Sequence, residues 1–418
     1  MAFDPFWYIL LYLFPQYSGT LTILQYILQQ QGNVLMDLFK IIVFPGIVFV
    51  SILSLFAEWY DRKIYARLQN RVGPFHTGYH GILQPLADII KLLAKEDIVQ
   101  GGAEARSLAA APIFAMTLSL VMLMFIPVYR SAGIISFEGD LIVVLFLSTL
   151  FALTVILTGW FSTNRFGEVG TARAGMQLIA YEIPLVLSAL TPAIIVAYYY
   201  SVPVQVNNYL LTVYGTLPVT TIPTTLFSIL TIANITQTQA TIGMPFILVA
   251  PISFGVFIIS LMAEIEKVPF DVPEAHTEIV AGWQTEISGK KLALYRLSSD
   301  LEYLWGAGLA AALFLGGPWG PGWDIGLSTL DRLMGAFPWG YVFGTIWFLV
   351  KVFAVIFIIA NLRTLFARFR IDQVVQGAWK YLIPLAFLNI LILQAVFYFD
   401  LFGWQSTYYM LLWIAYMI

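Results

Sequence analysis

The chain has 418 residues, of which 60% are hydrophobic and only 11% charged. A soluble domain carries about 25% charged residues, so an ordinary water-facing surface is excluded, and the repeated apolar runs point to one membrane domain rather than several soluble ones. The net charge of −3 says little by itself, but the absence of Cys excludes an iron–sulfur cluster ligated by this chain.

The predicted fold is all-α: a polytopic transmembrane bundle of about eight core spans, with extra terminal helices and one amphipathic interfacial helix. Residues 1–40 form an apolar N-terminal extension. Its start, MAFDPFWYIL, has an acid and a Pro where a cleaved signal would be basic, which argues against a targeting segment. The stretch 5–28, interrupted by Pro15 and Gly19, reads as an additional helix. The membrane domain covers 41–399, because a helix needs about 20 apolar residues to cross the hydrocarbon. The runs fall at 41–57, 108–127, 141–161, 178–199, 244–263, 294–315, 341–361 and 380–399. Between the fourth and fifth, 200–243 holds Pro203, Pro218 and Pro223 and no charge, and is expected to be a structured outer loop. Residues 400–418 read as a C-terminal apolar helix, interrupted by Gly403.

Seventeen of the 21 Lys and Arg fall in four segments, 61–106, 162–177, 264–296 and 362–380, read as charged inner loops. Alternation of the spans puts all four on one side. The positive-inside rule makes that side cytoplasmic, or the matrix in an organelle.

Two of these loops carry the chemistry. In the first, residues 58–71 continue the first span until Gly73 and Pro74 break it. From Ile82 to Ile98 follows an amphipathic helix, with Leu83, Leu86, Ile89, Ile90 and Leu93 on one side and Asp88, Lys91, Lys95 and Glu96 on the other. It is too short and too polar to span, and should lie in the interface plane, either as a surface anchor or as the roof of a cavity. His76 and His80 are four apart, but Gly78 and Gly81 argue against a helix there. In the third loop, Glu264, Glu266, Asp271, Glu274, Glu278 and Glu286 stand against one Lys. Pro269 and Pro273 should stop the fifth span near Lys267. Asp271 can then cap a new helix, with Glu274 and Glu278 one turn apart on one face. Carboxylates so close raise at least one pKa and make a proton carrier; the alternative is a solvated acidic loop paired with Arg62 to Arg71. Within the spans stand Glu182 and Lys351, which need a polar interior or a partner.

The runs DRKIYARLQNRVGP, GILQPLADIIKLLAKED, AEIEKVPFDVPEAHTEIVAGWQTEISG and RTLFARFRIDQVVQGAWKYLIPLAFLN resemble the quinone-channel membrane subunit of respiratory complex I, the family of NADH dehydrogenase subunit 1 and the bacterial H subunit. GWFSTNRFGEVGTARAGMQLIAYEIP is similar to the family's second inner loop, and the likeness covers roughly 41–399. The resemblance implies a subunit, not catalytic alone, that joins a membrane arm to a peripheral redox arm. It would form much of the tunnel by which a quinone, the substrate, leaves the bilayer. It would also couple quinone reduction to proton translocation through a chain of acids. Iron–sulfur clusters would belong to peripheral partner subunits, and other partners would be further membrane subunits and lipid, with no nucleic acid. Carried over onto this sequence, the tunnel positions are Asp61, Arg62, Lys63, Arg67, Arg71 and Arg363. The proton relay is Glu182 (after Tyr181), Glu264, Asp271, Glu274, His276, Glu278 and Glu286, with Lys351 as an intramembrane charge and Arg368, Arg370 and Asp372 beyond it.

The sequence departs from that pattern in places. Asp61 stands for a Glu, with Glu58 one turn earlier; His276 stands for a Glu; Glu266-Lys267 stand for Asn-Arg. An intramembrane Glu of the sixth span is replaced around Ser299, with Asp300 and Glu302 beside it. These changes favour a prokaryotic plasma-membrane enzyme and leave the electron donor open. Two other functions compete: the ion-coupling anchor of an energy-converting membrane-bound hydrogenase, and a free-standing transporter. The transporter should show broken helices in matching halves, and no such repeat is visible.

Overall fold

The structure is a computed structural model that describes residues 38–214, 226–320 and 339–398. The expected helices at 5–28 and 401–418, and part of the loop 200–243, lie outside those residues. The chain divides into two compact units, 1–50 and 51–418, and the site lies in the second.

Among the described residues there is no strand, and the helices satisfy their backbone N–H and C=O groups internally, one of the two ways a chain can do so where no water is at hand. The principal helices are α1 (Ile47–Leu68), α2 (Gln84–Ala94), α3 (Ala105–Met124), α4 (Asp140–Phe161), α5 (Arg165–Tyr214), α6 (Ile232–Ile242), α7 (Pro251–Glu264), α8 (Gly289–Leu315), α9 (Trp339–Leu365), α10 (Ile371–Gly377) and α11 (Ile383–Tyr398). A π-turn, Ala378–Leu382, joins the last two. Each predicted span overlaps one of these helices, though the first begins and ends later, at Ile47–Leu68, and the fifth begins only at Pro251. Among the described residues, six helical stretches are long and apolar enough to cross a membrane: Leu38–Leu68, Ala105–Met124, Asp140–Phe161, Arg165–Tyr199, Val342–Leu365 and Ile371–Phe397. The fifth span is shorter, because a single turn (Phe246–Val249) precedes α7.

The sixth, α8, is the centre of the bundle. Every residue from Asp300 to Phe314 is buried, as expected of a helix enclosed on all sides. It packs on α3, α2, α9 and α7, while α5 packs on α7, α4 and α11. Asp300 and Glu302 are therefore enclosed by protein, where a carboxyl needs a partner, a proton or a polar cavity.

Two expectations are corrected. The stretch 162–177 is not a loop: α5 starts at Arg165. The Asn164 side chain accepts from the Phe166 N–H at 3.1 Å and Glu168 lies in the first turn, both favourable at a helix start. The outer stretch 200–243 is also largely helical where described, through the end of α5, a turn at Leu226–Ile229, and α6.

Candidate functional site: an acid-rich cavity at the ends of the helices

α1 runs on past its apolar part and delivers Glu58, Asp61 and Arg62 to one end of the bundle. Arg62 Nε donates to Glu58 Oε1 at 2.7 Å, and its Nη1 donates to Asp88 Oδ2 on α2, also at 2.7 Å. That arginine ties the amphipathic helix to the bundle, and Gln84 supports Asp88 from the side at 2.9 Å. The start of α8 is tied to the end of α2 by Lys291–Asp97 at 3.2 Å and by Ser288, which bonds the backbone of Ile98. The apolar face of α2 remains uncovered, with Leu83, Leu86, Ile90 and Leu93 exposed.

Asp61 is buried and accepts from Arg363 Nη1 at 2.7 Å and from the Tyr303 hydroxyl at 3.3 Å. The Arg363 guanidinium also lies over the Tyr65 ring, 4.4 Å from its centre. Lys63 instead turns outward and donates to the carbonyls of Pro74 (2.7 Å) and His80 (3.5 Å), holding the loop after α1. Arg71 stacks on Tyr65, and Arg67 is exposed.

Behind Arg363 lies a cavity of about 290 Å³. Seven carboxyls line it, those of Glu58, Glu264, Glu266, Asp271, Glu274, Asp300 and Glu302, against three permanent cations, Lys267, Arg296 and Arg363, and one imidazole, His276. Lys267 is the central cation, 3.8 Å from Glu58 and over the Tyr303 ring at 4.8 Å. Arg62 and Arg368 pair with Glu58 and Asp271 from beyond the lining, and Arg363 pairs with Asp61. The excess therefore lies in Glu264, Glu266, Glu274, Asp300 and Glu302 against Lys267 and Arg296, and these carboxyls cannot all be charged. Glu264 Oε1 and Glu302 Oε1 are buried with no hydrogen-bond partner among the described residues.

The loop 265–288 forms the wall through turns, not through the expected helix. Only His276–Ile279 is α-helical, with a 3₁₀ turn at Gly282–Gln284. Asp271 does not cap it, because Arg368 holds both its oxygens, at 2.7 and 2.5 Å, and that pairing pushes the arginine's pKa further up. Pro273 also keeps its predecessor out of the helical region. Glu274 and Glu278 consequently part company. Glu274 points inward, where Gln284 Nε2 donates to it; Glu278 sits half-exposed, paired with Arg173 at 2.6 Å. His276 donates through Nδ1 to the Val280 carbonyl at 2.8 Å, a bond that fixes the tautomer, since a carbonyl can only accept. Glu286 accepts from Asn164, away from the cavity.

Burial pushes the Glu266 carboxyl well above the ordinary range, and the Glu274 charge adds to it, while the bond from Trp283 Nε1 (3.2 Å) opposes. Burial likewise raises Glu274, against the pull of Arg296, Lys267 and His276.

Of the positions expected to act, the cavity gathers Glu264, Asp271, Glu274, His276 and Arg363. Asp61 and Arg62 adjoin it through their ion pairs. Glu182 lies elsewhere, half-buried on an apolar groove of about 590 Å³ between α4 and α5, still near enough to repel Glu264. Lys351 is remote from the cluster and donates to the carbonyls of Gly317 (2.9 Å) and Trp319. Glu58, Glu266, Lys267, Arg296, Asp300 and Glu302 were missed as site residues. Their signal was charge in or beside an apolar helix, which does not say which way the side chain faces.

Fold and site together define a polytopic helical membrane protein with an acid-rich, partly neutralised cavity at one end of its bundle. The chain belongs to the NADH dehydrogenase family, whose model matches residues 39–394. It is 32% identical to the H subunit of the NADH-quinone oxidoreductase of Dehalococcoides mccartyi (strain CBDB1), over 84% of each chain. It is 33% identical to the H subunit numbered 2 of the Syntrophobacter fumaroxidans enzyme, over 82% of this chain and 91% of the relative. With the H subunit of the Thermomicrobium roseum enzyme the identity is 34%, over 82% and 92%.

Proposed function

We propose that this chain is the membrane subunit of a complex I-like quinone oxidoreductase that forms the quinone passage and couples quinone reduction to proton movement. The observation that carries this is the excess of carboxyls over permanent cations in one enclosed cavity. Such a cluster is poised to bind or release protons whenever a neighbouring charge changes, because burial raises the Glu266 and Glu274 carboxyls while the charges around them push and pull on each. A quinone gaining electrons beside Arg363 and Lys267 would supply that charge.

The exposed apolar face of α2 and the Arg62–Asp88 tie suit an entrance for an isoprenoid tail between α1 and α2. Asp61, Arg62, Lys63, Arg67, Arg71 and Arg363 form its charged wall, and pairing makes such a wall tolerable. Glu264, Asp271, Glu274 and His276 take up the charge change, Glu278 and Glu286 flank them, and Glu182 passes it on through its repulsion with Glu264. Lys351 acts as a structural tie. Peripheral subunits supply the iron–sulfur clusters, other membrane subunits continue the arm, and the charged face is cytoplasmic in a prokaryotic plasma membrane.

The test uses the assembled complex. Glu264→Gln should lower quinone-linked turnover and proton pumping by about 10²-fold or more, the scale of a lost acid–base group, while electron transfer from the donor to artificial acceptors persists. Full coupled activity in that variant would overturn the proposal.

A further inference from the structure

Trp283 and Gln284 are neighbours on a single 3₁₀ turn, Gly282–Gln284. Trp283 Nε1 donates to Glu266 at 3.2 Å, and Gln284 Nε2 donates to Glu274. One turn thus holds two acids that stand on opposite sides of the Pro269–Pro273 bend, and all four side chains line the same cavity.

The turn has no room to drift. A Cβ on Gly282 (φ +53°) would meet the Pro273 carbonyl oxygen at 1.8 Å. A Cβ on Gly170 of α5 would meet the Trp283 nitrogen at 2.7 Å, and one on Gly159 of α4 would meet the Trp283 Cβ at 2.9 Å. Trp283 is buried and packs edge-on against Tyr295, with ring centres 5.0 Å apart. Glu266 itself adopts φ +50°, in the left-handed region that non-glycine residues rarely occupy. The backbone is held in a costly conformation that delivers this carboxyl to the indole N–H.

We propose that Glu266 and Glu274 are a carboxyl pair that stores one proton between them, positioned by Trp283 and Gln284. The proposal rests on the coupling function above and adds to it a specific storage site and its positioning residues. All these groups line one cavity; the charges that act most on Glu266 are those of Glu274, Glu264, Asp271 and Glu302, and those on Glu274 are Arg296, Lys267, His276 and Asp271. The surroundings of Glu266 are therefore anionic and those of Glu274 mainly cationic. Two carboxylates held by neighbouring residues of one turn and lining one small cavity disfavour each other's ionisation, and the environment directs the proton to Glu266 and leaves Glu274 charged. When the charge in the cavity changes, the proton leaves the Glu266 oxygen for water or is restored from it; only O–H bonds are broken and formed. The indole N–H sets how readily that happens, because it stabilises the charged form of Glu266.

Redox-difference infrared spectroscopy of the assembled complex, with the pH profile of quinone turnover, tests the pair. Glu266→Gln should remove a protonated-carboxyl band by deleting its owner, and Glu274→Gln should shift that same band and its pH dependence, because burial holds the proton on Glu266 and the Glu274 charge adds to that hold. Trp283→Phe keeps the packing and loses the donor. It should shift the band and move the profile to higher pH by on the order of one unit, the worth of a hydrogen bond to a charged group. A Glu274→Gln complex that leaves the Glu266 band and its pH dependence unmoved, or a Trp283→Phe complex with wild-type band and profile, would overturn the pair. Neither result depends on proton pumping, which Glu264→Gln tests separately.

Discussion

Breaking the Asp61–Arg363 pair offers the sharpest quantitative test of the packing around the cavity. Asp61 has 1% of its side chain exposed and Arg363 22%, so the two ends of the pair should respond differently. Arg363→Gln leaves the carboxylate with the Tyr303 hydroxyl at 3.3 Å as its hydrogen bond and Lys267 as its remaining cation, which places the cost toward the lower end of the range for a broken buried pair. Stranding one charge of a buried pair costs about 3–5 kcal/mol, and the lost contact with the Tyr65 ring adds about 0.5–1 kcal/mol. Asp61→Asn should cost less, about 2–3 kcal/mol, because the guanidinium left behind is partly hydrated and still stacked. The double variant places two neutral amides in the same space and strands no charge. It should cost no more than the worse single variant, giving a coupling of about 2–3 kcal/mol between the sites. A double-mutant cycle measured by SDS-induced unfolding in mixed micelles provides these values. Additive effects, with a coupling below about 0.5 kcal/mol, would show that the pair does not act as a unit and that the charged wall is held by something else.

Gly282→Ala should abolish quinone turnover with helix content retained, because the φ of +53° and the Pro273 carbonyl leave no place for a methyl; Gly255→Ala, where nothing lies within 4 Å, should be neutral. For Glu266 and Glu274 the folded pKa is raised, so their contribution favours folding at low pH and is lost as pH rises from the ordinary carboxylate value through the raised one. Thermal scans across that range should show stability falling with pH in the wild type and a flatter profile in Glu266→Gln. Lys351→Met should lower stability by about 1–3 kcal/mol by orphaning the carbonyls of Gly317 and Trp319. Because Lys351 lies off the cavity, the pH dependence of quinone turnover in that variant should match the wild type.

The polar parts of the chain were legible as inventory and much less so as arrangement. The run of acids at 264–286 was visible, and so was the stop imposed by Pro269 and Pro273. The helix expected after them did not form, because Pro273 and the grip of Arg368 on Asp271 took away its start. Glu274 and Glu278, expected as neighbours on one face, ended on a cavity wall and at an exposed rim. Asp300 and Glu302 were noticed only as a departure from a family pattern, yet they are buried in the central helix. Nothing local in LYRLSSDLEYLWGAGL says that every side of that helix is covered.

By itself the sequence determined the membrane class, the helical runs and the family. Each depends on short stretches of chain, since hydrophobic length and charge decide whether a helix enters lipid whatever it later touches. Tertiary structure decided which charges meet. Asp61 and Arg363 are 302 residues apart, Arg173 and Glu278 are 105 apart, and Asp271 and Arg368 are 97 apart. Only the packing of helices around α8 brings such partners within hydrogen-bond range, and the balance of charge in the enclosed space then follows from which ones arrive.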